Sequence, residues 1–571
     1  MLKLLASVRE YKKPSLEAPL YVSLEVVMEC LIPFIISRLV NNIRAGCEFR
    51  ELLLDGALLI IMAFMSLLFG IIAGNACSTA SCGFAKNLRS DLFRAIQKFS
   101  FGNIDKFSTA SLVTRLTTDV NDVQQAYMMI IRTAIRGPLM LVFAFIMAWI
   151  MGGSIALVFL FTVPFLAVAL FLIAKWAMPV FRNLFKKYDA LNNSIQENIH
   201  AIRVVKAFVR EDYEKEKFAL SAGNLCNEFT FAEKILSLNN PVMHFCIDTV
   251  MIFVLYYGSY KVLSSELDVG QIASLITYGM QILGSLMRLS MVFVMITLAR
   301  ESALRIAEVL NEVPEIANPV NGIKELSDGS ITFHDVSFRY GSNRNFALSH
   351  VNLQINSGSM IGIIGGTGSS KSTLVQLISR LYDVSEGSIT VGGHDVREYD
   401  IASLRNNVAV VLQKNELFSG TIRENLLWGD SSATDQRIQE ACKIACADEF
   451  IERLPEKYNT HIEQNGRNLS GGQKQRLCIA RALLKRPKIL ILDDSTSAVD
   501  THTDALIKSS LRAYMPEVTK IIIAQRISSV QEADKIILLE GGEVKAAGTH
   551  EELLKSNGIY NEIYLSQNQG G

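Results

Sequence analysis

An uncharged run of residues from Gly137 to Ala174 limits most strongly what this chain can fold into. A helix needs on the order of 20 apolar residues to cross the hydrocarbon core of a bilayer, and this run is too long for a single crossing. It therefore predicts two spanning helices joined by a turn, which we place at Met151-Gly152-Gly153-Ser154. The chain is predicted to be a membrane protein.

Six apolar segments of this kind fit into the first half of the chain, near residues 18–40, 56–77, 132–151, 154–175, 241–262 and 270–296. Two of the connections are long, polar and helix-forming, Lys86–Arg136 and Lys175–Asn240. Basic residues cluster in these two connections and at the N-terminus, so the positive-inside rule places both termini in the cytoplasm. Long helical projections are thus predicted on one side of the membrane only.

Composition narrows the class of protein further. A length of 571 residues implies two or more domains, and half of the residues are hydrophobic while the net charge is zero. This balance favours lipid contact and argues against nucleic acid as a partner. The nine cysteines include no CxxC pair and no metal-ligand spacing, so we expect neither a cysteine-bound metal nor a structural disulfide.

A segment rich in proline, glycine and polar residues, Asn311–Ser330, marks the start of a different architecture. Beyond it, Ile331–Tyr340 and Met360–Ile364 are predicted strands. The second leads into a glycine-rich turn and then a helix, the context that a phosphate-binding loop requires. Its residues are Gly365, Gly366, Thr367, Gly368, Ser369, Ser370, Lys371, Ser372 and Thr373.

In such a loop backbone N–H groups surround the phosphates, Lys371 reaches the β- and γ-phosphates, and Ser372 binds Mg²⁺. The strict pattern is broken, because Ser370 stands where the last glycine belongs. Its Cβ crowds the approach of the backbone to phosphate. We therefore expect nucleotide binding to survive with an altered geometry.

The stretch from Leu469 to Asp500 carries parts of two nucleotide sites. Its first part opens a helix, and a helix N-terminus binds anions; the residues are Ser470, Gly471, Gly472 and Gln473. Lys488–Leu492 is predicted to be a buried parallel strand that ends in Asp493 and Asp494. A carboxylate at that end of a strand faces the ligand crevice of an α/β sheet and suits Mg²⁺ on a phosphate.

These residues resemble the ABC transporter ATPases, with an LSGGQ signature, a Walker B strand and Ser497-Ala498-Val499-Asp500 at the D-loop. The resemblance implies ATP and Mg²⁺ as cofactors and Asp500 as part of the nucleotide site. It also implies that Tyr340 stacks on adenine. Gln413, which follows the predicted strand Val408–Leu412, would contact Mg²⁺ and the transmembrane domain.

The two cytoplasmic projections resemble the intracellular loops of ABC exporters, over Asn103–Val120 and Ala201–Phe218. In that family the loops end in short coupling helices that dock on the ATPase domains. The resemblance implies coupling helices near Asn103–Thr109 and Phe208–Tyr213.

The catalytic positions depart from the family pattern. Asp494 stands where the family has a glutamate that polarises the attacking water, and Gln525 stands where it has a histidine that contacts the γ-phosphate. The aspartate is one methylene shorter, and the amide cannot carry a positive charge. Because phosphoryl transfer depends on positioning and electrostatic stabilisation, we expect this site to bind ATP and hydrolyse it slowly.

The signature itself is intact, and in ABC dimers each signature completes the nucleotide site of the other chain. The resemblance thus favours a different protein as partner, one with the consensus glutamate and histidine.

The ionisable residues of the predicted spans have two interpretations in a transporter of this family. Glu25 and Glu29 either line the translocation cavity and attract cationic substrates, or pair with arginines such as Arg132 and Arg136 and fix helix packing.

The sequence therefore predicts a multi-domain fold. An all-α six-helix transmembrane domain (1–310) and a linker (311–330) precede an α/β P-loop ABC-type ATPase domain with a helical subdomain (331–571). The expected function is ATP-driven export of small amphipathic molecules or drugs across the cytoplasmic membrane, as one half of a heterodimer. The alternatives are a homodimeric lipid or peptide exporter with slow turnover and a nucleotide-gated regulatory half-subunit.

Overall fold

The computed structural model describes residues 2–341, 344–494 and 499–568. The chain divides into two compact units: a helical unit, Met1–Gln97 with Thr109–Glu312, and a sheet unit, Lys98–Ser108 with Val313–Gly571. The short segment Lys98–Ser108 comes from the first of the two long connections between spans, yet it groups with the sheet unit.

All six predicted spans are helical in the helical unit: Lys12–Ala45, Phe49–Gln97, Thr133–Gly152, Leu157–His200, Asn239–Leu263 and Val269–Asn311. Within the described ranges, five continuous helical stretches are long and apolar enough to cross a membrane. One of them, Thr109–Phe181, runs through the predicted hairpin turn, where Gly153 has a φ of 49°. It contains two crossing lengths, which accounts for six spans in five stretches.

The other helices described in this unit are Leu2–Leu5, Ala6–Tyr11, Thr109–Thr114, Arg115–Asp119, Val120–Ile131, Gly153–Ala156, Ile202–Ala207 and Glu211–Ser237. The short helices in the two projections begin earlier than the sequence predicted. Phe101–Phe107 begins early because the Ser100 side chain caps it, and Ile202–Ala207 ends before Val209, whose φ is 51°. The predicted range Phe208–Tyr213 covers a turn and the start of the next helix.

The sheet unit contains a six-stranded sheet in the order Glu543–Gly548, Lys535–Glu540, Met360–Ile364, Thr519–Ile523, Ile489–Asp493 and Val408–Val411. All pairs are parallel except the first. A second, antiparallel sheet has the order Leu348–Ile355, Ile331–Phe338, Glu386–Val391 and His394–Asp395. Two short strands, Gly420–Thr421 and His461–Ile462, pair with each other in a separate sheet. This is the α/β fold that the apolar runs predicted.

Helices complete the sheet unit. One follows the phosphate loop, Lys371–Ile378, and the helical subdomain contains Ile422–Leu427, Asp435–Ile444, Asp448–Glu452 and Gly471–Leu484. The others are Ile401–Asn407, Thr501–Tyr514, His550–Ser556 and Gly558–Asn568, with short 3-10 turns at Lys457–Asn459, Gln464–Gly466 and Ile527–Ser529.

Strand register brings the predicted site residues to one edge of the six-stranded sheet. Every residue of the three central strands, Met360–Ile364, Thr519–Ile523 and Ile489–Asp493, is buried. Ile523 lies level with Ile363 on one side and Asp493 on the other. Since the strands are parallel, the loops that follow them leave the sheet at the same edge.

A proline in the first span leaves one backbone carbonyl without its usual helical hydrogen bond, and a side chain of the last span replaces that bond. Pro33 has no N–H, so the carbonyl of Glu29 loses its donor within the helix. Gln281 Nε2 lies 3.4 Å from this carbonyl oxygen. One and two turns earlier on the same helix, Tyr278 donates to the carbonyl of Cys30 at 2.8 Å and Ser274 to that of Pro33 at 2.5 Å. This polar seam holds the first and last spans together.

The membrane carboxylates pair with one arginine. Arg136 Nη1 lies 2.6 Å from Glu25 Oε1, and Arg136 Nη2 lies 2.6 Å from Glu29 Oε1. Glu25 itself is buried, and the second carboxylate oxygen of Glu25 is buried without a hydrogen-bond partner. The geometry favours the packing interpretation for these glutamates, because one guanidinium ties the first span to the third.

Loss of Arg136 should destabilise the helical unit, because it leaves two uncompensated carboxylates in a buried site. We expect Arg136→Leu to cost about 3 kcal/mol and to lower the thermal unfolding midpoint in detergent. The triple variant Glu25→Gln/Glu29→Gln/Arg136→Met removes all three charges and should recover most of the loss. An unchanged midpoint in Arg136→Leu would contradict this assignment.

Candidate functional site

The phosphate loop lines a cavity of about 290 Å³ at the carboxyl edge of the parallel sheet. A Cβ at Gly365 would lie 2.0 Å from the carbonyl oxygen of Leu539, so only glycine fits where the loop leaves its strand. Other predicted residues share the cavity: Thr367, Gly368, Ser369, Ser370, Lys371, Ser372, Thr373, Gln413, Asp493, Asp494 and Gln525. The structure thus brings the predicted phosphate, metal and catalytic positions together.

Lys371 binds the loop itself. Its Nζ donates to the carbonyl oxygens of Gly365 at 2.9 Å and Gly366 at 2.8 Å. Burial lowers the pKa of Lys371, and the neighbouring carboxylates of Asp493 and Asp494 act in the opposite direction. The ammonium is therefore held at the centre of the loop, where it can face phosphate oxygens.

Ser370 adopts a left-handed conformation, with φ 69° and ψ 26°. This backbone region suits glycine and costs a residue with a Cβ about 1 kcal/mol or more. The broken glycine pattern therefore has a structural consequence that the sequence did not specify. The loop keeps its shape, and Ser370 bears strain.

Oxygen ligands for Mg²⁺ gather beside the loop. Asp493 is 3% exposed, burial raises its pKa, and its carboxylate is hydrogen-bonded to Ser372. A serine hydroxyl, one carboxylate and the amide oxygen of Gln413 are the hard ligands that Mg²⁺ takes alongside phosphate. The donor set fits the ion, and Ser372, Gln413 and Asp493 are the residues that would hold it.

The two non-consensus residues meet in this cavity. Asp494 Oδ2 lies 3.3 Å from Gln525 Nε2 and 3.5 Å from Gln413 Nε2. Asp494 also has a positive φ of 47°, and its N–H donates to the carbonyl of Ile523 at 3.0 Å. The carboxylate at the expected water-activating position therefore faces two side-chain amides.

Tyr340 lies next to the loop helix in the sheet unit. Its hydroxyl is 2.9 Å from Thr373 Oγ1, and its half-buried ring packs edge-to-face against Phe338 and Tyr382. Burial raises the pKa of Tyr340, so its phenol stays neutral. Its stacking on adenine remains a prediction.

The signature residues lie apart from this cavity. Ser470 caps the helix Gly471–Leu484: its N–H donates to Gln473 Oε1 at 2.9 Å, and its Oγ accepts from the Gln473 N–H at 3.3 Å. Ser470 and Gly471 are exposed and Gly472 is half-buried; none of the four signature residues lines the phosphate cavity.

Asp500 caps the helix that follows the D-loop position. It accepts from the Thr503 N–H at 2.9 Å, a bond that lowers the pKa of its carboxyl. Ser497 and Ala498 lie outside the described residues.

Sequence reasoning missed two residues that support this site. Gln567, in the C-terminal helix, donates to the carbonyl of Gln525 at 2.9 Å and accepts from the Ile527 N–H at 2.8 Å, so it fixes the loop that carries Gln525. Tyr382 packs against Tyr340. Neither belongs to a motif, and only tertiary contact reveals them.

Comparison with known proteins agrees with both units. Residues 20–286 match the family model described as ABC transporter transmembrane region, and residues 348–497 match the one described as ABC transporter. An uncharacterized ABC transporter ATP-binding protein of Bacillus subtilis, YfiB, is 35% identical over 95% of this chain and 94% of its own length. The ATP-dependent lipid A-core flippase of Desulfotalea psychrophila is 34% identical over 84% of both chains.

A solved structure resembles the whole chain. A bacterial Atm1-family ABC exporter with ATP bound has a TM-score of 0.84 and 25% sequence identity, with 98% of each chain covered. The similarity spans both the helical and the sheet unit. The predicted fold class is therefore confirmed.

Replacing Ser370 by glycine should relieve the left-handed strain. We expect Ser370→Gly to stabilise the full-length chain by about 1 kcal/mol, read as a higher thermal midpoint. Ser370→Ala is the matched control, because it loses the hydroxyl and keeps the Cβ. Equal shifts in the two variants would show that the hydroxyl, and not the backbone, determines the effect.

Proposed function

Because the chain belongs to the ABC transporter family, with a transmembrane region and an ATP-binding domain in one polypeptide, we propose that it is one half of a heterodimeric exporter. It carries a slow ATP site of its own and completes a fast site on its partner. ATP binding closes the two ATPase domains, and the transmembrane cavity then changes its access from inward to outward. Hydrolysis at the partner's site resets it.

The contact of Asp494 with Gln525 and Gln413 supports the slow site most directly. The aspartate carboxylate reaches one methylene less far than glutamate, and a misplacement of about 1 Å can cost on the order of a hundredfold in rate. Gln525 would offer a hydrogen bond to the γ-phosphate, and it carries no positive charge.

The location of the signature supports the need for a second chain. In this chain the signature residues do not share the cavity of the phosphate loop. Ser470 and the helix N-terminus behind it offer hydroxyl and N–H groups to an anion. We assign that anion to the γ-phosphate of ATP on the partner.

The second cytoplasmic projection also ends in a surface suited to a partner. Phe208 and Val209, which follow the helix Ile202–Ala207, are 74% and 81% exposed. Large apolar side chains in adjacent exposed positions are typical of docking surfaces. We assign this tip to the partner's ATPase domain, in the role of the second coupling helix.

The transported substrate is proposed to be a small amphipathic molecule. A second candidate is a lipid, which two observations favour. Glu25 and Glu29 are both engaged by Arg136, so they are poorly placed to attract cations, and one relative is a lipid A-core flippase. Two further alternatives are open to test. A slow homodimer predicts ATPase activity without a partner. A regulatory half-subunit predicts nucleotide binding without transport.

The division of labour predicts opposite effects for one single and one double replacement in the assembled complex. Ser470→Ala removes the signature hydroxyl from the partner's fast site and should lower ATP turnover by about a hundredfold. In that background only this chain's site remains active. Adding Asp494→Glu with Gln525→His should then raise turnover again by about the same factor.

Lys371→Ala in the same background is the control, because it should abolish the restored activity. Full turnover in the Ser470→Ala complex, or no gain from the double replacement, would contradict the assignment. ATPase activity of the purified chain alone would instead identify a homodimer.

Proteoliposomes that contain the complex distinguish the substrates. We expect ATP-dependent accumulation of a cationic amphipathic dye, since amphipathic molecules partition into the bilayer that surrounds the spans. A labelled phospholipid is the parallel probe. Movement of the lipid without movement of the dye would replace the proposed substrate by the second candidate, and movement of neither would favour the regulatory subunit.

A further inference from the structure

The helix Phe101–Phe107 is fixed to the sheet unit through a buried asparagine. Asn103 is fully buried, its Nδ2 donates to the carbonyl of Val313 at 3.1 Å, and its Oδ1 accepts from the Glu315 N–H at 3.1 Å. These bonds attach the helix to the segment that enters the sheet unit. The helix is therefore held at a fixed place beside the nucleotide-binding fold.

Tyr382, a side chain of the nucleotide-binding fold, contacts this helix. Its hydroxyl donates to Asp105 Oδ2 at 2.7 Å, and its ring packs edge-to-face on Phe101, with centroids 5.9 Å apart. Burial raises the pKa of Tyr382, and the carboxylate of Asp105 raises it further. The phenol thus remains a neutral hydrogen-bond donor.

The other side of Tyr382 meets the predicted adenine platform. The rings of Tyr382 and Tyr340 are nearly perpendicular, at 89°, with centroids 5.2 Å apart. Tyr340 in turn is hydrogen-bonded to Thr373 in the first turn of the phosphate-loop helix. One continuous set of contacts therefore joins that helix turn, Tyr340, Tyr382 and Asp105.

We propose that Tyr382 is the positioning residue that transmits occupancy by the nucleotide base to the helix Phe101–Phe107. This inference rests on the proposed function, because it takes Tyr340 as the adenine platform. Rings in close-packed, edge-to-face contact cannot move independently, so a base that fixes Tyr340 also fixes Tyr382. Tyr382 in turn fixes Asp105 through a charge-assisted hydrogen bond.

The base and the phosphates should therefore have separable effects. A nucleoside triphosphate fills the phosphate loop and also contacts Tyr340, the predicted adenine platform. Inorganic tripolyphosphate fills the loop alone. Coupling between two sites is reciprocal. If base binding orders the helix Phe101–Phe107 through Tyr382, then ordering of that helix also strengthens binding of the base. The signal carried by Tyr382 is thus specific for a nucleotide with a stacking base.

Hydrogen exchange in residues 98–108 of the full-length chain tests this relay. We expect MgATP to slow exchange in the helix and saturating magnesium tripolyphosphate to have little effect. Tyr382→Phe keeps the ring and removes the hydroxyl, and it should weaken the ATP-induced protection by about tenfold, the factor that one hydrogen bond to a charged group provides. Asp105→Ala should have the same effect, and the double variant should add nothing.

Two outcomes would overturn the relay. In the first, Tyr382→Phe speeds exchange equally with and without ATP, which is what a purely structural contact does. In the second, tripolyphosphate protects the helix as well as ATP does. A failure of the proposed function is distinguishable, because Tyr340→Ala would then leave the affinity for a fluorescent ATP analogue unchanged.

Discussion

The alignment of three buried parallel strands determines the rest of the nucleotide site. Met360–Ile364, Thr519–Ile523 and Ile489–Asp493 are buried along their whole length and paired in register. Their common edge places the phosphate loop, Asp493 and Gln525 around one cavity. Each of these groups is positioned by the buried apolar strand that precedes it in the chain. The chemistry of the site can therefore change, as at Asp494, while the scaffold that presents it stays the same.

Much of this arrangement follows from local sequence. Uninterrupted apolar runs identify the spans and the central strands, and Gly152 and Gly153 identify the hairpin, because burial and backbone freedom act over a few residues. The bounds predicted for the two short helices of the projections were wrong, because capping by Ser100 and the left-handed turn at Val209 determine them. The partners of Arg136, Gln567 and Tyr382 could not be predicted, since they come from chain segments distant in sequence.

Ser370 and Asp494 show how departures from a motif are accommodated. Both adopt a positive φ, at 69° and 47°, where a Cβ is costly. Strain of this kind persists where the surrounding structure holds the backbone in place. Here the buried strands and the loop contacts of Lys371 hold it. The loop therefore keeps its shape, while the residues at the two proposed catalytic positions, Asp494 and Gln525, differ from the family pattern.

We propose that this chain retains intact ATP at its own loop while its partner hydrolyses. The most direct measurement is photolabelling of the assembled complex during turnover with azido-ATP that carries its radiolabel at the γ-phosphate. We expect the label to persist on this chain after it has disappeared from the partner, and Asp494→Glu with Gln525→His to remove the difference. Loss of the γ-label from both chains at the same rate would contradict a slow site on this chain.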